Sequence, residues 1–469
     1  MHKHPPNILL VLADDHGQWS LGCYGNSTVQ TPNLDFLASN GVRFDNAFTP
    51  CPVCSPARAS LFTGRIPSQH GVHDFLAEDA EFAGHPWLID EIFLSQLLQR
   101  AGYQTGLVGK WHCTADGHNP QPGFDHWVSY DVRQRGWINQ YEHSGEFDIS
   151  VQGQTHTRRG FQSQLLTEEA LRFLNNRNFA QPFFLTVSFV DTHSPFAGHP
   201  TRLVEQYRHV APSGSFAPTS SHLPASGANS LAPGDPAECL TQYYAGVSMI
   251  DHQVGTLLDH LEGQGWLDNT LVVYTSDHGH MIGQHGLYGK GNATVPQNFF
   301  EEALRIPMLM RWPDGGVQAS PIAAPFDHCD LFATLMDVAG VTLTLEEQQL
   351  IDTPGQSILP TLRGQLQPWR DYQCCEYGNA RMITDLTHKL VRRYPPIGQG
   401  FGDEFFDLAV DPHETTNRID ELQYQSDIQR LGQIADTFYA RFEIAAHSGK
   451  QILDLPPHNR LEPWRSNPN

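Results

Sequence analysis

The sequence predicts an α/β protein with a large, doubly wound, mainly parallel sheet and helices on both faces, followed by a smaller C-terminal α+β domain with an antiparallel sheet. The first observation is a series of short apolar runs typical of buried strands, at residues 7–15, 102–112, 182–193 and 269–279. The second is that helical patterns separate these runs, as at residues 88–102 and 243–265. Strands that alternate with helices indicate a parallel sheet. The third observation is a change of pattern after about residue 365.

The predicted C-terminal domain spans residues 366–469, after an α/β domain of residues 1–365. Within it, residues 374–394 and 403–417 have the pattern of antiparallel strands joined by a turn. Residues 421–447 form one amphipathic pattern with apolar side chains at helical spacing, which predicts a single long helix.

Composition restricts the partners of this 469-residue chain. It has 29 Lys plus Arg against 51 Asp plus Glu, a net charge of −22, which argues against nucleic acid or a membrane surface as a partner. A local cationic pocket for a small anion stays compatible with this charge. No apolar run approaches the roughly 18 residues of a spanning helix, and the early run at 8–13 is too short for a signal peptide. We therefore expect a cytoplasmic protein, although an exported chain trimmed of its signal would look the same; the oligomeric state stays open.

Reactive side chains follow all four apolar runs. In doubly wound sheets, ligands bind beyond the carboxyl ends of the strands, which meet at one edge. Two further histidines, His280 and His285, follow the last run; we interpret them as loop residues, with a position lining the pocket as the alternative. We expect one site at this edge, formed by side chains from four separate parts of the sequence: Asp14 and Asp15, Lys110 and His112, His193, and Asp277 and His278.

Asp14 and Asp15 are adjacent carboxylates, which repel each other unless a positive group lies between them. A divalent cation is the usual solution, and hard oxygen ligands favour Ca²⁺, Mg²⁺ or Mn²⁺. The alternative is a helix N-terminus, where acidic residues are also favoured. Asp277 and His278 can complete the ligand set from a neighbouring strand, although His278 alone would equally suit a surface or core histidine.

The segment CPVCSPARASLFTG, residues 51–64, admits three interpretations. A redox pair of Cys51 and Cys54 would be expected at a helix start in a small thioredoxin-like unit. Half of a zinc site would need a second Cys or His pair at suitable spacing, and none follows. The third interpretation is a single modified cysteine, Cys54, with Pro56 and Arg58 as recognition marks.

The third interpretation rests on a resemblance. The pattern C-x-P-x-R followed by T-G resembles the signature of the type I, formylglycine-dependent sulfatases of the alkaline phosphatase superfamily. The closing segment has Phe406 where the family has tyrosine. Matching segments extend in order over most of the chain: LADDHG at 12–17, GKWH at 109–112, THSPF at 192–196, SDHG at 276–279, GLYGKG at 286–291 and FFDLAVDPHETTN at 405–417.

The resemblance implies a mechanism for Cys54. In sulfatases a separate formylglycine-generating enzyme oxidises the motif cysteine to formylglycine, which hydrates to a geminal diol. One hydroxyl attacks sulfur and takes up the sulfate. The other hydroxyl then loses its proton, the carbon–oxygen bond to sulfate breaks, and the aldehyde returns. A serine-type nucleophile would instead be left as a stable sulfate ester.

The resemblance also implies one divalent cation, held by Asp14, Asp15, Asp277 and His278 and bound to the oxygen of the modified Cys54. We expect Ca²⁺ first, with Mg²⁺ or Mn²⁺ as alternatives. Many family members have asparagine where this chain has His278. Because imidazole is a softer ligand than an amide oxygen, this difference makes Mg²⁺ or Mn²⁺ more plausible.

Five further residues receive catalytic roles from the resemblance. Arg58 stabilises the diol and the carboxylates around the metal. Lys110 and Lys290 bind sulfate oxygens and offset charge in the transition state. His112 is the base that deprotonates the second hydroxyl, and His193, alone or with Lys290, is the acid toward the leaving alcohol.

The expected activity is hydrolysis of a sulfate ester of a carbohydrate or another small organic alcohol. Phosphodiester or phosphonate monoester hydrolysis by the same site is the alternative, because related hydrolases share the histidine at position 278. The presence of both Asp14 and Asp15 favours the sulfatase, since those hydrolases tend to replace the second acid with an amide. A catalytically inactive binding protein with this fold is disfavoured, because the set of polar site residues is intact.

His73 and Asp74 follow the cysteine motif and are our candidates for substrate contacts.

Overall fold

A computed structural model describes residues 5–78, 82, 84–135, 140–209, 221–227, 230–232, 234–317, 319–397 and 400–465. Its largest element is a nine-stranded sheet, in which five central strands run parallel and the outer strands run antiparallel to their neighbours. The predicted fold class is confirmed. In order across the sheet, the strands are β2 (Val42–Arg43), β12 (Met308–Arg311), β9 (Thr270–Ser276), β1 (Asn7–Ala13), β8 (Phe183–Ser188), β4 (Gln104–Gly109), β5 (His126–Tyr130), β6 (Ser144–Val151) and β7 (Gln154–Phe161).

The central strands are buried on both faces, so their apolar residues form unbroken runs. In β1, Leu9 and Val11 belong to one core and Ile8 and Leu10 to another, because alternate side chains point to opposite faces of the sheet. The helices in the first core are α1 (Pro32–Ser39), α6 (Gln162–Asn176), α7 (Thr201–Tyr207) and α8 (Pro236–Gly263). The helices in the second core are α2 (Cys54–Thr63), α4 (Leu94–Arg100), α10 (His328–Ala339), α11 (Leu345–Ile351) and α12 (Leu359–Leu362).

Short elements connect these layers. Two small sheets pair β3 (Ala47–Phe48) with β13 (Phe326–Asp327), and β10 (Met281–Ile282) with β11 (Tyr288–Gly289). Among the helices of the described residues, none is both long and apolar enough for a membrane span. The remaining short helices are α3 (Pro67–His70), α5 (Val132–Arg135) and α9 (Glu301–Leu304).

The C-terminal part has the predicted antiparallel sheet and long helix. Its buried side chains Leu431, Ala435 and Tyr439 recur every four residues along one helix face and pack against the sheet. The helix starts later and ends sooner than predicted, because the flanking residues form separate 3₁₀ turns. In order, the elements are β14 (Gln373–Tyr377), β15 (Ala380–Thr384), β16 (His388–Arg393), β17 (Glu404–Asp407) and α13 (Gln425–Phe442).

The two parts of the chain share a hydrophobic cluster. Phe48 and Val53, beside the start of α2, pack in the same cluster as Tyr377 and Met382 of the C-terminal sheet. The predicted boundary at residue 365 falls between α12 and β14 and stays a prediction. The cluster ties the C-terminal sheet to the segment that leads into Cys54.

Candidate active site

Four neighbouring parallel strands, β9, β1, β8 and β4, end at one edge of the sheet. Asp14 and Asp15 directly follow β1, Asp277 follows β9, and Lys110 follows β4. The backbone N–H of Lys110 donates to the Ser188 carbonyl at 3.0 Å, so sheet-like bonding continues beyond the last paired residues. The structure therefore brings together the strand-end segments that the sequence places at a common edge.

Helix α2 positions the cysteine motif beside these strand ends. It begins at Cys54 and all ten of its residues are buried. Pro56 lies in the first turn, where a backbone N–H would have no partner within the helix, so proline is tolerated. Cys54 and Arg58 are four positions apart and therefore lie on the same helix face. The helix stops at Gly64, whose φ is 71° and where a β-carbon would lie 2.3 Å from the Phe332 ring.

The Cys54 thiol lies among charged groups. Lys290 Nζ donates to Cys54 Sγ at 2.9 Å, His278 Nε2 is 3.2 Å from the sulfur, and Asp14 Oδ1 is 3.6 Å from it. Burial raises the pKa of the thiol to about 12, against the opposing charges of Lys110 and Lys290. The unmodified residue is therefore a neutral thiol and a poor nucleophile.

Arg58 links two of the carboxylates. Its Nε donates to Asp277 Oδ2 at 2.9 Å, and its Nη2 lies 3.6 Å from Asp14 Oδ1. Its Nη1 donates to the Lys110 carbonyl and to Ser188 Oγ, each at 2.9 Å. Burial disfavours the guanidinium charge, but Asp277 and Asp14 outweigh burial and raise the pKa of Arg58. The arginine is a fixed cation that sets the separation of these carboxylates.

Two lysines neutralise the adjacent aspartates. Lys110 Nζ donates to Asp14 Oδ2 at 2.5 Å, and Lys290 Nζ donates to Asp15 Oδ1 at 2.6 Å. Burial alone would raise the pKa of both carboxyls, but the lysine charges outweigh it and hold each pKa well below its usual value. With Arg58, these three cations balance the three carboxylates of the site. The charged side chains of this group therefore carry no net charge.

Four side chains have the arrangement of a metal site: the ligand atoms of Asp14, Asp15, Cys54 and His278 all lie within 4.8 Å of one another and are buried. His278 Nδ1 lies 2.8 Å from the Gly279 carbonyl, so it carries the ring proton and leaves the Nε2 lone pair facing the cluster. Asp15 Oδ2 accepts no hydrogen bond from any described residue. This donor set fits a divalent cation.

Asp277 lies beside this group, and its carboxylate already has partners. Its Oδ1 accepts from the backbone N–H groups of Asp15 at 3.2 Å and His278 at 2.9 Å. Its Oδ2 accepts from Arg58. A metal-ligand role for Asp277 stays a prediction.

The two predicted proton-transfer histidines have different surroundings. His112 Nε2 is 2.9 Å from the Leu76 carbonyl, which assigns it the ring proton and leaves the Nδ1 lone pair without a partner among the described residues. His193 Nε2 lies 3.7 Å from Asp15 Oδ2, and its ring stacks on Tyr141. Burial lowers the pKa of His193 to about 3, which favours the neutral ring.

Two residues near the cluster received no site role from the sequence. His280 lies in a loop, and its Nδ1 is 3.1 Å from Asp15 Oδ2, so the alternative of a pocket-lining position fits it. Its position two residues after His278 is the signal that could have found it. The Tyr141 ring lies under Lys110 Nζ, 4.9 Å from the ring centroid, but belongs to no recognised motif.

His73 and Asp74 have partners in the C-terminal part of the chain. His73 Nε2 lies 2.7 Å from the His447 carbonyl, and the His73 backbone N–H donates to His458 Nε2 at 2.9 Å. Asp74 Oδ1 accepts from the Tyr377 hydroxyl at 2.9 Å. These buried contacts give both residues a structural role, and the predicted substrate contacts stay a prediction.

Comparison with known proteins decides the family. The family model described as Sulfatase matches residues 6–341. This chain belongs to the sulfatase family. A second model, described as N-sulphoglucosamine sulphohydrolase, C-terminal, matches residues 283–437 of the sulfatase. The resemblance inferred from the motifs is thereby confirmed, and the protein is a sulfuric ester hydrolase.

Relatives of this sulfatase include enzymes with several different names. It is 27% identical to an N-acetylglucosamine-6-O-sulfatase of Bacteroides thetaiotaomicron, over 97% of this chain and 90% of that protein. It is 29% identical to a choline-sulfatase of Rhizobium meliloti, over 94% of this chain and 88% of the relative. A human N-acetylgalactosamine-6-sulfatase is 33% identical, with 76% of this chain and 66% of the human protein covered.

Solved structures share the fold of the sulfatase. One, a protein in complex with its substrate D-glucosamine-2-N,6-O-disulfate, matches with a TM-score of 0.79 at 24% identity, over 93% of this chain and 98% of that one. Another, the phosphonate monoester hydrolase of Agrobacterium radiobacter, matches with a TM-score of 0.72 at 23% identity, over 93% and 96% of the two chains.

Proposed function

We propose that this sulfatase hydrolyses the sulfate ester of a saccharide through a hydrated formylglycine made from Cys54, with one divalent cation bound beside it. The observation that carries the proposal is the position of Cys54. Its sulfur is buried at the start of α2, in contact with Lys290, His278 and Asp14. A side chain in this position can meet an anionic ester that the surrounding cations attract.

The modification replaces a thiol that is a poor nucleophile in this site. The unmodified thiol has its pKa raised to about 12 by burial and is not ionised near neutral pH. Hydrated formylglycine has two hydroxyls on one carbon, so one can attack sulfur while the other allows sulfate to leave as the aldehyde re-forms. A formylglycine-generating enzyme is accordingly the proposed partner during maturation, and a loss of mass from the Cys54 peptide, thiol to aldehyde, is the direct check.

Asp14, Asp15 and His278 would hold the cation, with Asp277 beside them. A bound Ca²⁺, Mg²⁺ or Mn²⁺ would lower the pKa of the attacking hydroxyl and draw charge from the sulfuryl group. Arg58 keeps two of these carboxylates at a fixed separation through its bonds to Asp277 and Asp14.

Lys110 and Lys290 bind the sulfate oxygens in this proposal. Both ammonium groups now donate to Asp14 and Asp15, so they lie next to the place where the cation would bind. With Asp14 and Asp15 bound to a cation, Lys110 and Lys290 would be free to donate to the substrate. Donors placed before the reaction at the position where charge develops stabilise the transition state.

Two histidines complete the proton transfers. His112 presents an Nδ1 lone pair with no partner among the described residues, as a general base requires. His193 has an exposed side-chain fraction of 15%, whereas Asp15 beside it has 1%, so His193 lies on the side from which a leaving alcohol can depart. Its acid role requires the substrate complex to favour the protonated ring, because burial in the free protein favours the neutral one.

The relatives support a saccharide as the alcohol part. Two of the three relatives compared above are named for sulfated amino sugars, and one solved neighbour holds D-glucosamine-2-N,6-O-disulfate as its substrate. A panel of 6-O-sulfated hexosamines, choline sulfate and an aryl sulfate tests this choice. We expect the highest kcat/KM for a sulfated hexosamine, and turnover of choline sulfate alone would contradict it.

Phosphonate monoester or phosphodiester hydrolysis is the second candidate, because His278 resembles those hydrolases and one of them shares the fold. The decisive assay compares an aryl sulfate with the aryl phosphodiester of the same phenol, using protein whose formylglycine content is known. We expect kcat/KM for the sulfate to exceed that for the phosphodiester by at least about tenfold, or about 1.4 kcal/mol in the barrier. Faster phosphodiester turnover would reverse the assignment. The variant Cys54→Ala is expected to lose both activities.

A further inference from the structure

A second cluster of metal-ligating side chains is buried near the active site and has no part in the proposed reaction. His143 lies just before β6, Asp191 lies three residues after β8, and His199 lies just before α7. All three are buried, and one ligand atom from each lies within 4.8 Å of the others. The cluster shares no residue with the group around Cys54.

The hydrogen bonds of His199 fix which ring nitrogen carries the proton. Gln242 Nε2 donates to Glu238 Oε1 at 2.8 Å, which turns Gln242 Oε1 toward His199 Nδ1 at 3.0 Å. An amide oxygen only accepts, so His199 Nδ1 must be the donor. In the neutral ring the opposite nitrogen, Nε2, then has a lone pair, and it lies 2.9 Å from Asp191 Oδ1; in the charged ring Nε2 donates to this carboxylate oxygen.

His143 is fixed in the same way. Its Nε2 lies 2.9 Å from the backbone carbonyl of His193, so Nε2 carries the proton. Its Nδ1 has no hydrogen-bond partner among the described residues and lies 3.4 Å from Asp191 Oδ1. The other oxygen of Asp191 accepts from the Ser163 hydroxyl.

With both rings neutral, two imidazole lone pairs and a carboxylate oxygen converge in a buried space. Three facing acceptors repel one another, and leaving them unpaired in the interior is costly. A proton on His199 Nε2 would satisfy the contact with Asp191 but would leave His143 Nδ1 without a partner among the described residues, whereas one cation would satisfy all three atoms. The two rings are also stacked, with centroids 4.4 Å apart, so two charged rings would repel each other.

We propose that His143 Nδ1, His199 Nε2 and Asp191 Oδ1 form a second metal site, which takes one divalent cation of borderline softness, with Zn²⁺ as the best match. Two imidazoles and one carboxylate are a common zinc ligand set. Ligating histidines usually donate their other N–H to a carbonyl or carboxylate, and both rings do so here. The nitrogen-rich set distinguishes this site from the mainly oxygen-ligated group at Asp14 and Asp15.

The second site would have a structural function. Its ligand His143 donates to the carbonyl of His193, and its ligand Asp191 lies two residues before His193 in the chain. A cation here would join the segment before β6 to the segment after β8. His193 would thereby be held in place through His143, which is 50 positions away in the sequence.

The test uses the full-length protein, stripped with a chelator and then equilibrated with Zn²⁺. Anomalous diffraction at the zinc edge locates the ion, and elemental analysis by mass spectrometry counts it. We expect an anomalous peak between His143, Asp191 and His199 in the wild type, and one bound Zn²⁺ fewer in His199→Gln. Gln242→Ala leaves the ligands in place but frees the tautomer of His199, and we expect about 10–100-fold weaker binding.

His70→Gln is the matched control, because His70 is a buried histidine with neutral partners on both ring nitrogens. It is expected to bind as much Zn²⁺ as the wild type. Absence of the anomalous peak at saturating Zn²⁺, or the same zinc count in wild type and His199→Gln, would overturn the proposal. The wild-type crystal decides the question even if a variant fails to fold.

Discussion

Lys290 Nζ lies 2.9 Å from Cys54 Sγ, although 236 positions separate the two residues in the sequence. The same ammonium donates to Asp15 at 2.6 Å. One buried cation is thus shared between the predicted nucleophile position and the predicted metal ligands. Removing any one of these charged groups should therefore affect both the nucleophile position and the metal ligands.

The first prediction concerns Lys290 itself. Lys290→Met keeps much of the side-chain volume but removes the donor, and we expect kcat/KM for a sulfate ester to fall by about 10²–10³-fold. Lys450→Met, at a lysine whose side chain is 45% exposed, serves as the control and should be close to wild type. Formylglycine content must be measured in each sample. Wild-type turnover in a fully modified Lys290→Met protein would remove the lysine from the mechanism.

Metal removal is the second prediction. Dialysis against a chelator should abolish sulfate ester hydrolysis, because Asp14, Asp15 and His278 then face the substrate without a dication. Activity should return on addition of Ca²⁺, Mg²⁺ or Mn²⁺, and the concentration that each requires identifies the preferred ion. Asp15→Asn should raise that concentration for every ion. Full activity after exhaustive chelation would contradict the metal site.

The pH dependence of stability gives a third prediction, at Asp74. Burial, with the charge of Glu462 nearby, raises the pKa of Asp74 from 3.8 to about 7. Between these values the folded protein holds a proton that the unfolded chain releases. Its contribution to the free energy of unfolding is therefore full below about pH 4 and is lost as the pH rises through about 7.

Asp74→Asn should remove this pH-dependent loss of stability, because asparagine does not titrate, and its amide oxygen still accepts from the Tyr377 hydroxyl. Between about pH 5 and pH 8, we expect the decrease in the free energy of unfolding to be smaller in the variant by about 1–3 kcal/mol. Urea unfolding at both pH values measures the difference. Asp259→Asn, at an exposed position of α8, controls for the loss of one carboxylate. Identical pH dependences in wild type and Asp74→Asn would show that the buried carboxyl does not titrate in this way.

The fourth prediction concerns the end of α2. Gly64→Ala introduces a β-carbon that would lie 2.3 Å from the Phe332 ring. We expect this clash to lower the free energy of unfolding by about 1–3 kcal/mol, in addition to the cost of placing alanine in the left-handed region. Gly102 has φ of 93° and nothing within 4 Å of its virtual β-carbon, so Gly102→Ala measures the backbone cost alone. Urea unfolding midpoints of the two variants give the comparison. Equal effects would mean that Phe332 moves aside without cost.

Much of the site could be predicted because its residues lie at recognisable local positions. Asp14, Asp277 and Lys110 each end an apolar run, and parallel strands carry such ends to one edge. For His280 the sequence left both a loop position and a pocket-lining one open, because its segment does not show how close the side chain comes to Asp15. Tyr141 gave no local signal, since it lies outside every apolar run and motif that marks the site.

The sequence by itself determined four of the five central parallel strands, the family motifs, and the common helix face of Cys54 and Arg58. These features depend on spacing within one element, which residue periodicity fixes. Only the tertiary structure decided that Lys290 reaches Cys54, that His73 and Asp74 bond to the C-terminal part, and that two histidines converge on Asp191. Those contacts join segments that are far apart in the sequence. Their distances depend on how the helices pack on both faces of the sheet, and a local sequence pattern does not predict this packing.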